Sequence, residues 1–125
     1  PPGWDAPPVA PPGFSIRPIP RPDLVWYRDL FRRVGEPWLW FSRLRLSDDE
    51  LQAKLYHPAL TLFVLSFEGA DIGFAELDRS EPPHVELTFF GIVPEHTGKG
   101  AGPFLMRHAI REAFTHGARR LWLHT

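Results

Sequence analysis

The sequence predicts one α+β domain, in which helices pack against a mixed β-sheet. Two observations predict this class. Short runs of β-branched, leucine and aromatic residues recur along the 125-residue chain, and amphipathic segments with helix start and stop residues lie between them. The predicted order of elements is β-α-α-β-β-β-α-β, with a hairpin signal at Glu68-Gly69-Ala70 between the second and third strands.

The first half of the predicted domain contains one strand and two helices. Residues 14–19 are predicted to form an edge strand, where a proline is tolerated. Asp23 is predicted to cap a helix whose apolar positions share one face as far as Gly35. Ser47-Asp48-Asp49-Glu50 has the form of a capping box, which predicts a short second helix through residue 54.

The second half contains the remaining strands. Two apolar runs, Leu60–Phe67 and residues 71–78, flank the hairpin signal. After a predicted loop over residues 79–84, the fourth strand alternates apolar and polar residues and ends near Val93, because the next residue is a proline. A fifth strand over residues 120–125 follows the last helix.

The first 13 residues differ in composition from the rest. Nine of the 15 prolines lie in residues 1–22, which predicts an extended, polyproline-like tail over residues 1–13. We expect this tail to be flexible and the folded domain to span residues 14–125. A recognition peptide for another protein is the alternative interpretation of the same prolines.

A glycine-rich turn joins the fourth strand to the last helix. Gly98, Gly100 and Gly102 stand at every second position, and Pro103 is predicted to begin an amphipathic helix that ends at Gly117. A strand, a glycine turn and a helix in this order bring free backbone amides and the positive end of a helix dipole to one point. Such a point favours a phosphate group.

Two common phosphate motifs do not match this turn. A P-loop needs a serine or threonine after its lysine, but Lys99 is followed by Gly100. A dinucleotide fingerprint that begins at Gly98 would need its third glycine at position 103, and no acidic residue ends the next strand. A turn that binds no ligand remains an alternative at this point.

The residues around the turn resemble a known motif. Ile92-Val93-Pro94-Glu95, followed by Thr97-Gly98-Lys99-Gly100-Ala101-Gly102, resembles motif A of the GNAT superfamily of acyl-CoA-dependent N-acetyltransferases, written Gln/Arg-x-x-Gly-x-Gly/Ala. The glycines match, whereas Thr97 stands where the motif has glutamine or arginine, and Pro103 removes one amide near the phosphate position. The order of elements extends the resemblance over residues 14–125.

The resemblance implies a binding site for acetyl-CoA. It implies a predominantly antiparallel sheet whose fourth and fifth strands splay apart, with Gly91 suited to a bulge that opens the fourth strand. The pantetheine arm would pair with the edge of that strand, and the pyrophosphate would lie on the amides of the turn. The implied coenzyme residues are Phe90, Gly91, Ile92, Val93, Thr97, Gly98, Lys99, Gly100, Ala101 and Gly102.

The reaction that the resemblance implies requires a base, because an alkyl amine has a pKa of about 10.4 and must lose a proton before it attacks a thioester. Glu86 is the candidate general base: it precedes the proposed thioester position, is expected to share a face with Thr88 and Phe90, and matches the base glutamate of some GNAT enzymes. His84 is a candidate proton relay. A solvated glutamate and a surface histidine are the alternative interpretations. An N–H near Phe90 or Gly91 would stabilise the oxyanion.

The acceptor side is less specific. In GNAT proteins the segment between the first two helices usually borders the acceptor pocket, so the candidate acceptor contacts are Trp38, Trp40, Phe41 and Arg43. The alternative is that the tryptophans pack the helices onto the sheet. Glu76, Asp78 and Glu86 would attract a cationic amine, and a polyamine, an aminoglycoside, an amino acid or a lysine side chain all fit that charge.

Composition excludes several function classes. The net charge of −1 carries no electrostatic footprint for nucleic acid, and no apolar run reaches the length of a membrane span. The six histidines show no metal-ligand spacing, so we expect no metal. The absence of cysteine excludes a thiol nucleophile and suits a cytoplasmic protein.

The resemblance also predicts what lies beyond the fifth strand. GNAT domains usually continue with a helix and two strands, so we expect a longer natural chain, or a homodimer or partner that completes the sheet, and we expect residues 1–125 alone to be inactive. Two functions stay open: transfer of acetyl to a small-molecule or peptide amine, and a non-catalytic acyl-CoA-binding module. A scaffold without coenzyme affinity is a third, weaker alternative.

Overall fold

The computed structural model describes residues 8–115 and 117–123. Over these residues it has the predicted α+β class and the predicted order of strands and helices. The strands are β1 (Phe14–Pro18), β2 (Leu60–Phe67), β3 (Ala70–Glu81), β4 (His84–Ile92) and β5 (Arg120–Leu123). The helices are α1 (Leu24–Gly35), α2 (Asp48–Leu55) and α3 (Ala101–Thr115), with short 3₁₀ turns at Glu36–Trp38, Arg43–Arg45 and Pro94–His96.

The strands form a mixed sheet in the order β1-β2-β3-β4-β5. The pairs from β1 to β4 are antiparallel and the β4–β5 pair is parallel, which confirms a predominantly antiparallel sheet. Strands β4 and β5 pair from His84 with Arg120 to Leu87 with Leu123. Within the described residues, β4 has no partner on that side after Leu87. The predicted splay involves residues 124 and 125, which lie outside the described part of the chain.

A β-bulge lies in β4 at Thr88, before the predicted position. Glu76 pairs with Phe89 and the next residue of β3 pairs with Leu87, so Thr88 is the extra residue. Its hydroxyl donates to the carbonyl oxygen of Glu76 at 3.2 Å, which gives that oxygen a partner at the irregularity. Gly91 pairs with Phe74 of β3 in regular register, so the predicted opening of β4 at Gly91 on the β5 side stays a prediction.

The bulge changes which residues of β4 share a face. Glu86 pairs with Asp78, and both line a surface beside the helices that precede β2. After the extra residue, Phe89 takes that face and packs against Phe31 of α1, with ring centroids 5.1 Å apart. Phe90 then faces the α3 side. The prediction that Phe90 shares the face of Glu86 is therefore wrong.

Helices α1 and α3 cover opposite faces of the sheet. Tyr27 of α1 contacts the ring of Phe74 in β3. His108 of α3 contacts the ring of Phe63, and Phe63 pairs with Ala75, the residue after Phe74 in β3. Successive residues of a strand face opposite sides, so the two contacts lie on different faces. The fully buried α1 and α3 side chains include Tyr27, Leu30, Phe31, Val34, Leu105, Ala109 and Ala113. None of the described helices is both long and apolar enough to cross a bilayer.

The helix starts follow the predicted caps, except in α3. The Asp23 carboxylate accepts from the Trp26 amide at 2.9 Å, and Ser47 forms a complete capping box with Glu50. Helix α3 begins at Ala101, two residues before the predicted start at Pro103. Proline is tolerated there because amides in the first turn have no carbonyl partner within the helix.

The end of β3 also differs from prediction. The strand continues to Glu81, which pairs with His84, so the predicted loop over residues 79–84 is reduced to Pro82 and Pro83. The peptide bond between Pro82 and Pro83 is cis. The extended strand therefore places residues 79–81 beside the start of β4.

The N-terminal segment is described from residue 8. The Pro11 carbonyl accepts from the Phe14 amide at 3.1 Å, and the Gly13 carbonyl accepts from the Glu68 amide at 2.8 Å. The end of the predicted tail thus joins the β2–β3 hairpin. Residues 1–7 lie outside the described part of the chain, and the flexibility of the tail stays a prediction.

Candidate active site

The turn between β4 and α3 has the geometry of an anion site. Gly98 and Gly100 have left-handed φ values of +82° and +81°. Among the described residues, no hydrogen bond uses the amides of residues 98–102 as donors, and the first helical bond runs from the Phe104 amide to the Gly100 carbonyl at 3.2 Å. These amides and the start of α3 can therefore hold a phosphate group.

Side chains around the turn support its backbone. The Thr97 hydroxyl donates to the Pro94 carbonyl at 3.0 Å and closes the preceding 3₁₀ turn. The Lys99 ammonium lies 5.4 Å from the centre of the Phe67 ring. Pro11 lies against the turn, since its Cγ would be 3.5 Å from a Cβ built on Gly100. The residue that departs from the motif, Thr97, thus stabilises the turn locally.

The end of β4 leads directly into this turn. The Val93 amide donates to the Ile72 carbonyl at 2.8 Å, which holds the chain on the β3 side. A Cβ on Gly91 would lie 2.4 Å from Val34 Cγ1, so glycine is needed there for α1 to approach the strand. The other edge of residues 88–92 has no strand partner among the described residues. An extended ligand can pair with that edge.

A buried charged cluster lies beneath the α1 face of β3. Tyr27 donates its hydroxyl to one carboxylate oxygen of Glu76, and Arg43 places Nη2 3.2 Å from the other. The Arg43 guanidinium also lies 5.0 Å from the centre of the Phe89 ring. Burial raises the pKa of Glu76, against the opposing charge of Arg43. Burial and the nearby carboxylate raise the pKa of Tyr27 well above its usual value.

This cluster corrects one prediction about the cleft. Glu76 is fully buried and ion-paired with Arg43, so it does not present a charge to a cationic ligand. Sequence reasoning missed the pairing with Tyr27. A carboxylate inside the apolar run from Phe74 to Leu77 was the available signal, because a buried charge requires partners.

The predicted base and relay lie in one groove, which we call the acidic groove. Its volume is about 250 Å³, and it is lined by Asp78, Ser80, Glu81, His84, Glu86 and Trp122. The Asp78 carboxylate accepts from the Ser80 amide at 2.8 Å. The lining contains three carboxylates and no lysine or arginine. It is therefore suited to bind an amine in its protonated form.

A second groove adjoins the first, and we call it the basic groove. Its volume is about 280 Å³, and it is lined by Arg43, Ala53, Lys54, His57, Ala59, Leu60, Asp78 and Ser80. Asp78 and Ser80 border both grooves. Sequence reasoning missed Lys54, in the last turn of α2, and His57, just after that helix, because nothing in their local pattern distinguishes them from solvated surface residues.

The four predicted acceptor contacts do not converge on one surface. Trp40 packs against Phe89 at a centroid distance of 5.3 Å, and it lines a hollow of about 260 Å³ together with Phe41. Arg43 lines the basic groove, and Trp38, which is 69% exposed, lines neither groove nor this hollow. The packing interpretation thus suits Trp40.

Within residues 8–115 and 117–123, no group of three or more histidine, aspartate or glutamate side chains is placed to hold a metal ion. His116 and His124 lie outside these residues. The absence of a metal stays a prediction.

The predominantly antiparallel α+β sheet and the glycine turn between β4 and α3 point to one class of proteins, the acetyltransferases. The family model described as "Acetyltransferase (GNAT) family" matches residues 24–125. The chain therefore belongs to the GNAT acetyltransferase family, which confirms the resemblance seen in the sequence.

Curated relatives are named as N-acetyltransferases. Uncharacterised N-acetyltransferases of Mycobacterium tuberculosis and Mycobacterium bovis are each 30% identical over 83 residues, which is 66% of this chain and 53% of theirs. This chain thus spans about half the length of the curated relatives it matches.

Solved structures share the fold at low identity. An aminoglycoside acetyltransferase from an uncultured soil sample, in complex with sisomicin, aligns with a TM-score of 0.73 at 18% identity, over 90% of this chain and 78% of the other. The aminoglycoside N-acetyltransferase AAC(6')-Iy in complex with CoA aligns with a TM-score of 0.67 at 23% identity, over 94% and 81%. The ribosomal-protein-S18-alanine N-acetyltransferase of Escherichia coli aligns with a TM-score of 0.67 at 20% identity, over 88% and 65%.

Proposed function

We propose that this chain binds acetyl-CoA and transfers its acetyl group to a primary amine. One observation carries the proposal: the left-handed turn at Gly98 and Gly100 offers free amides at the start of α3, directly after a strand edge that has no described partner. The combination suits a ligand with a pyrophosphate at one end and an extended amide-containing arm, which is the chemistry of coenzyme A.

The backbone supplies most of the coenzyme contacts in this proposal. The amides of residues 98–102 hold the pyrophosphate, and Lys99 is close enough to add a positive charge. The pantetheine arm lies along residues 90–93. Pro103 follows this set of donors in the first turn of α3, so the missing amide lies at the edge of the phosphate site.

The acidic groove carries the chemistry in this proposal. Glu86 removes a proton from the bound ammonium, with His84 as a relay to solvent. The neutral amine nitrogen then forms a bond to the thioester carbon while an N–H near Phe90 or Gly91 stabilises the oxyanion. The carbon–sulfur bond breaks, the attacking nitrogen loses its second proton, the thiolate of CoA leaves and takes up a proton, and the amide product remains.

The acceptor is a small-molecule or peptide amine in this proposal. Two of the solved structures above are aminoglycoside acetyltransferases and one is a ribosomal-protein acetyltransferase, so the fold serves both kinds of acceptor. Trp38, Trp40, Phe41 and Arg43 remain proposed acceptor contacts, with Trp40 and Phe41 beside Phe89.

A non-catalytic acyl-CoA-binding module is the second candidate, and the tyrosines favour it. A tyrosine can protonate the leaving thiolate only if its phenol lies near the thioester. The sequence contains two tyrosines. Tyr27 is buried against Glu76, and the Tyr56 hydroxyl donates to the Pro22 carbonyl at 3.2 Å. In the enzyme, a group other than these two tyrosines would therefore supply that proton.

The cellular setting completes the proposal. A cysteine-free chain with a net charge of −1 suits a cytoplasmic enzyme that acts on neither nucleic acid nor membranes. Completion of the sheet next to β5, by a further segment or by a second copy, is part of the same proposal, because a parallel edge strand is normally covered.

Calorimetric titration tests the coenzyme site. We expect acetyl-CoA and CoA to bind with similar affinity, 3′-dephospho-CoA to bind slightly less tightly, and pantetheine alone to bind far more weakly. This order follows because the turn contacts the pyrophosphate. A folded protein that binds none of the coenzyme forms would contradict both the enzyme and the acyl-CoA-binding module.

A further inference from the structure

We propose that the acceptor amine also carries an anionic group, a carboxylate or a phosphate, which the basic groove binds at Lys54 and His57 while the acidic groove holds the amine. The inference rests on the proposed function and deepens it, because it names the substrate class. It excludes a simple alkyl amine and a polyamine as the best acceptors.

The two grooves form one continuous surface of opposite polarity. Asp78 and Ser80 belong to the walls of both, so a ligand that passes them contacts both grooves. One end is bordered by Glu81, Glu86 and His84, and the other by Lys54 and His57. A molecule with a positive and a negative end fits this arrangement in one orientation, with the amine toward Glu86.

Lys54 is the cation of the basic groove that forms no ion pair among the described residues. Arg43 also lines the groove, but its charge is opposed by the buried carboxylate of Glu76 at 3.2 Å. Lys54 is exposed, and its charge contributes only a minor part of the lowered pKa of Glu50, four residues earlier on α2. An anion in the groove therefore gains an attractive partner and breaks no ion pair.

His57 adds a hydrogen-bond donor. Its Nδ1 accepts from the Ala59 amide at 3.0 Å, so the proton of the neutral ring is on Nε2. The ring is held by this bond on the wall that it shares with Lys54. An oxygen of a carboxylate or phosphate can accept from Nε2 and lie near the ammonium at the same time.

The basic groove also has apolar lining residues. Ala53, Ala59 and Leu60 belong to its wall, together with the cations and Asp78. Methylene groups that link an amine to an anion can contact these side chains. A second ammonium in the same position would instead meet the like charge of Lys54, so diamines are disfavoured there.

The experiment compares matched ligands that differ at one end. The protein is saturated with CoA, which cannot transfer an acetyl group, and is titrated by calorimetry with three series of two to eight carbons. The series are unsubstituted alkyl amines, ω-amino carboxylates with aminoalkyl phosphates, and α,ω-diamines. We expect at least one anionic amine to bind about twofold to fivefold more tightly than the alkyl amine of equal length, which is the upper part of the range for an exposed ion pair.

Two variants assign the preference. Lys54→Gln is expected to abolish most of the advantage of the anionic amine and to leave the affinity for the alkyl amine unchanged. Arg107→Gln is the control, because Arg107 is exposed on α3 and lines neither groove. Circular dichroism melting of each variant checks that the fold is retained.

The outcomes separate this inference from the proposed function. If CoA binds and all amines bind without preference for an anion, or if Lys54→Gln leaves the preference intact, the inference is wrong and the proposed function stands. Tighter binding of the diamines would also overturn it. If CoA itself does not bind, the proposed function fails and the inference fails with it.

Discussion

The glycine turn and the two grooves are built from different parts of the chain. The turn uses the backbone of five consecutive residues, 98–102, and two of them need a left-handed φ that glycine adopts without strain. The grooves use side chains from α2, β3, β4 and β5, and one of them is also lined by Arg43, which forms an ion pair with the buried carboxylate of Glu76. One site is local and the other is assembled by the fold.

This difference determines how each site tolerates change. Most side chains in the turn can be replaced as long as its glycines keep their conformation, because the binding groups are amides. Each side chain of the grooves contributes a separate charge, so single substitutions alter rate or specificity without affecting the turn. Variants that change one site and spare the other therefore test whether the two are independent.

The largest expected effect is a loss of catalytic rate, caused by a substitution in the acidic groove alone. Glu86→Gln removes the proposed base while preserving its shape, so we expect kcat to fall about 10²-fold to 10⁴-fold. The dissociation constant of CoA should stay unchanged, because the turn is intact. Steady-state assays with an accepted amine, together with calorimetry of CoA binding, measure both quantities.

Asp49→Asn is the matched control for this variant, because Asp49 is an exposed carboxylate that lines neither groove. It should retain the full rate. A Glu86→Gln protein with wild-type kcat would show that the base is elsewhere. If the wild-type protein, with its sheet completed next to β5, binds CoA but acetylates no amine, the acyl-CoA-binding module is favoured instead.

The same difference explains what could be predicted from the sequence. The turn was recognised because Gly98, Gly100 and Gly102 specify it within a few residues, and the caps at Asp23 and Ser47 were predicted for the same reason. Local chemistry decides these features, so a local pattern is enough to find them.

The assembled features could not be read in this way. The bulge at Thr88 depends on how β3 pairs with β4, and one extra residue is enough to exchange the faces of Phe89 and Phe90. In the sequence, Glu76 is only a carboxylate within an apolar strand. Its partners, Tyr27 and Arg43, belong to other elements of the fold. The position of these partners follows from tertiary packing, which periodicity does not encode.

The second prediction concerns the buried pair of Glu76 and Arg43. Glu76→Gln leaves the Arg43 guanidinium, whose side chain is 11% exposed, without its counter-charge, so we expect the free energy of unfolding to fall by about 3 kcal/mol. Urea denaturation followed by tryptophan fluorescence measures the change. The affinity for CoA, corrected for the fraction of protein that is folded, should change much less than the free energy of unfolding.

A double-mutant cycle sharpens this prediction. Arg43→Met with Glu76→Gln removes both charges, and we expect the pair of substitutions to cost less than Glu76→Gln alone. Equal or greater cost for the double variant would mean that the two groups are not coupled through their charges.

The third prediction separates backbone strain from ligand binding in the turn. A Cβ on Gly98 or on Gly69 would meet nothing within 4 Å, and both residues have a positive φ, of +82° and +86°. Gly98→Ala and Gly69→Ala should therefore each lower stability by about 1 kcal/mol through strain alone. Only Gly98→Ala should weaken CoA, by about tenfold if the amides shift by a fraction of an ångström.

Thermal melts and calorimetry of the two variants give this comparison directly. Equal weakening of CoA by both substitutions would mean that the coenzyme responds to general destabilisation. Unchanged CoA affinity in Gly98→Ala would place the pyrophosphate away from the turn.

The smallest expected effect lies outside both sites and shows what loss of stability alone does. The Asp71 carboxylate accepts from Arg17 at 2.8 Å, from the Ser66 hydroxyl at 2.7 Å and from the Trp26 indole at 2.9 Å, so it joins β1, β2 and α1 at the start of β3. The hydrogen bond from Arg17 is the main cause that lowers the pKa of Asp71 to about 2.

This lowered pKa gives the contribution of Asp71 a defined pH window. The carboxylate is ionised in the folded protein down to about pH 2, whereas in the unfolded chain it is protonated below its ordinary pKa of 3.8. Its stabilisation is therefore complete above pH 3.8 and disappears as the pH falls through the folded pKa. Asp71→Asn should lower stability by about 1 kcal/mol at pH 7, a value discounted because Arg17 is partly exposed to solvent.

Denaturation of the wild type and Asp71→Asn between pH 2 and pH 7 measures this window, and we expect the difference between them to narrow below about pH 4. The CoA dissociation constant and kcat at pH 7 should equal those of the wild type, because Asp71 touches neither the turn nor the grooves. A difference in stability that stayed constant down to pH 2 would mean that packing, and not the charge of Asp71, stabilises the contact of β1, β2 and α1 with the start of β3. If CoA binding instead weakened with stability, the turn would depend on the scaffold as much as the grooves do, and the distinction between a local and an assembled site would fail.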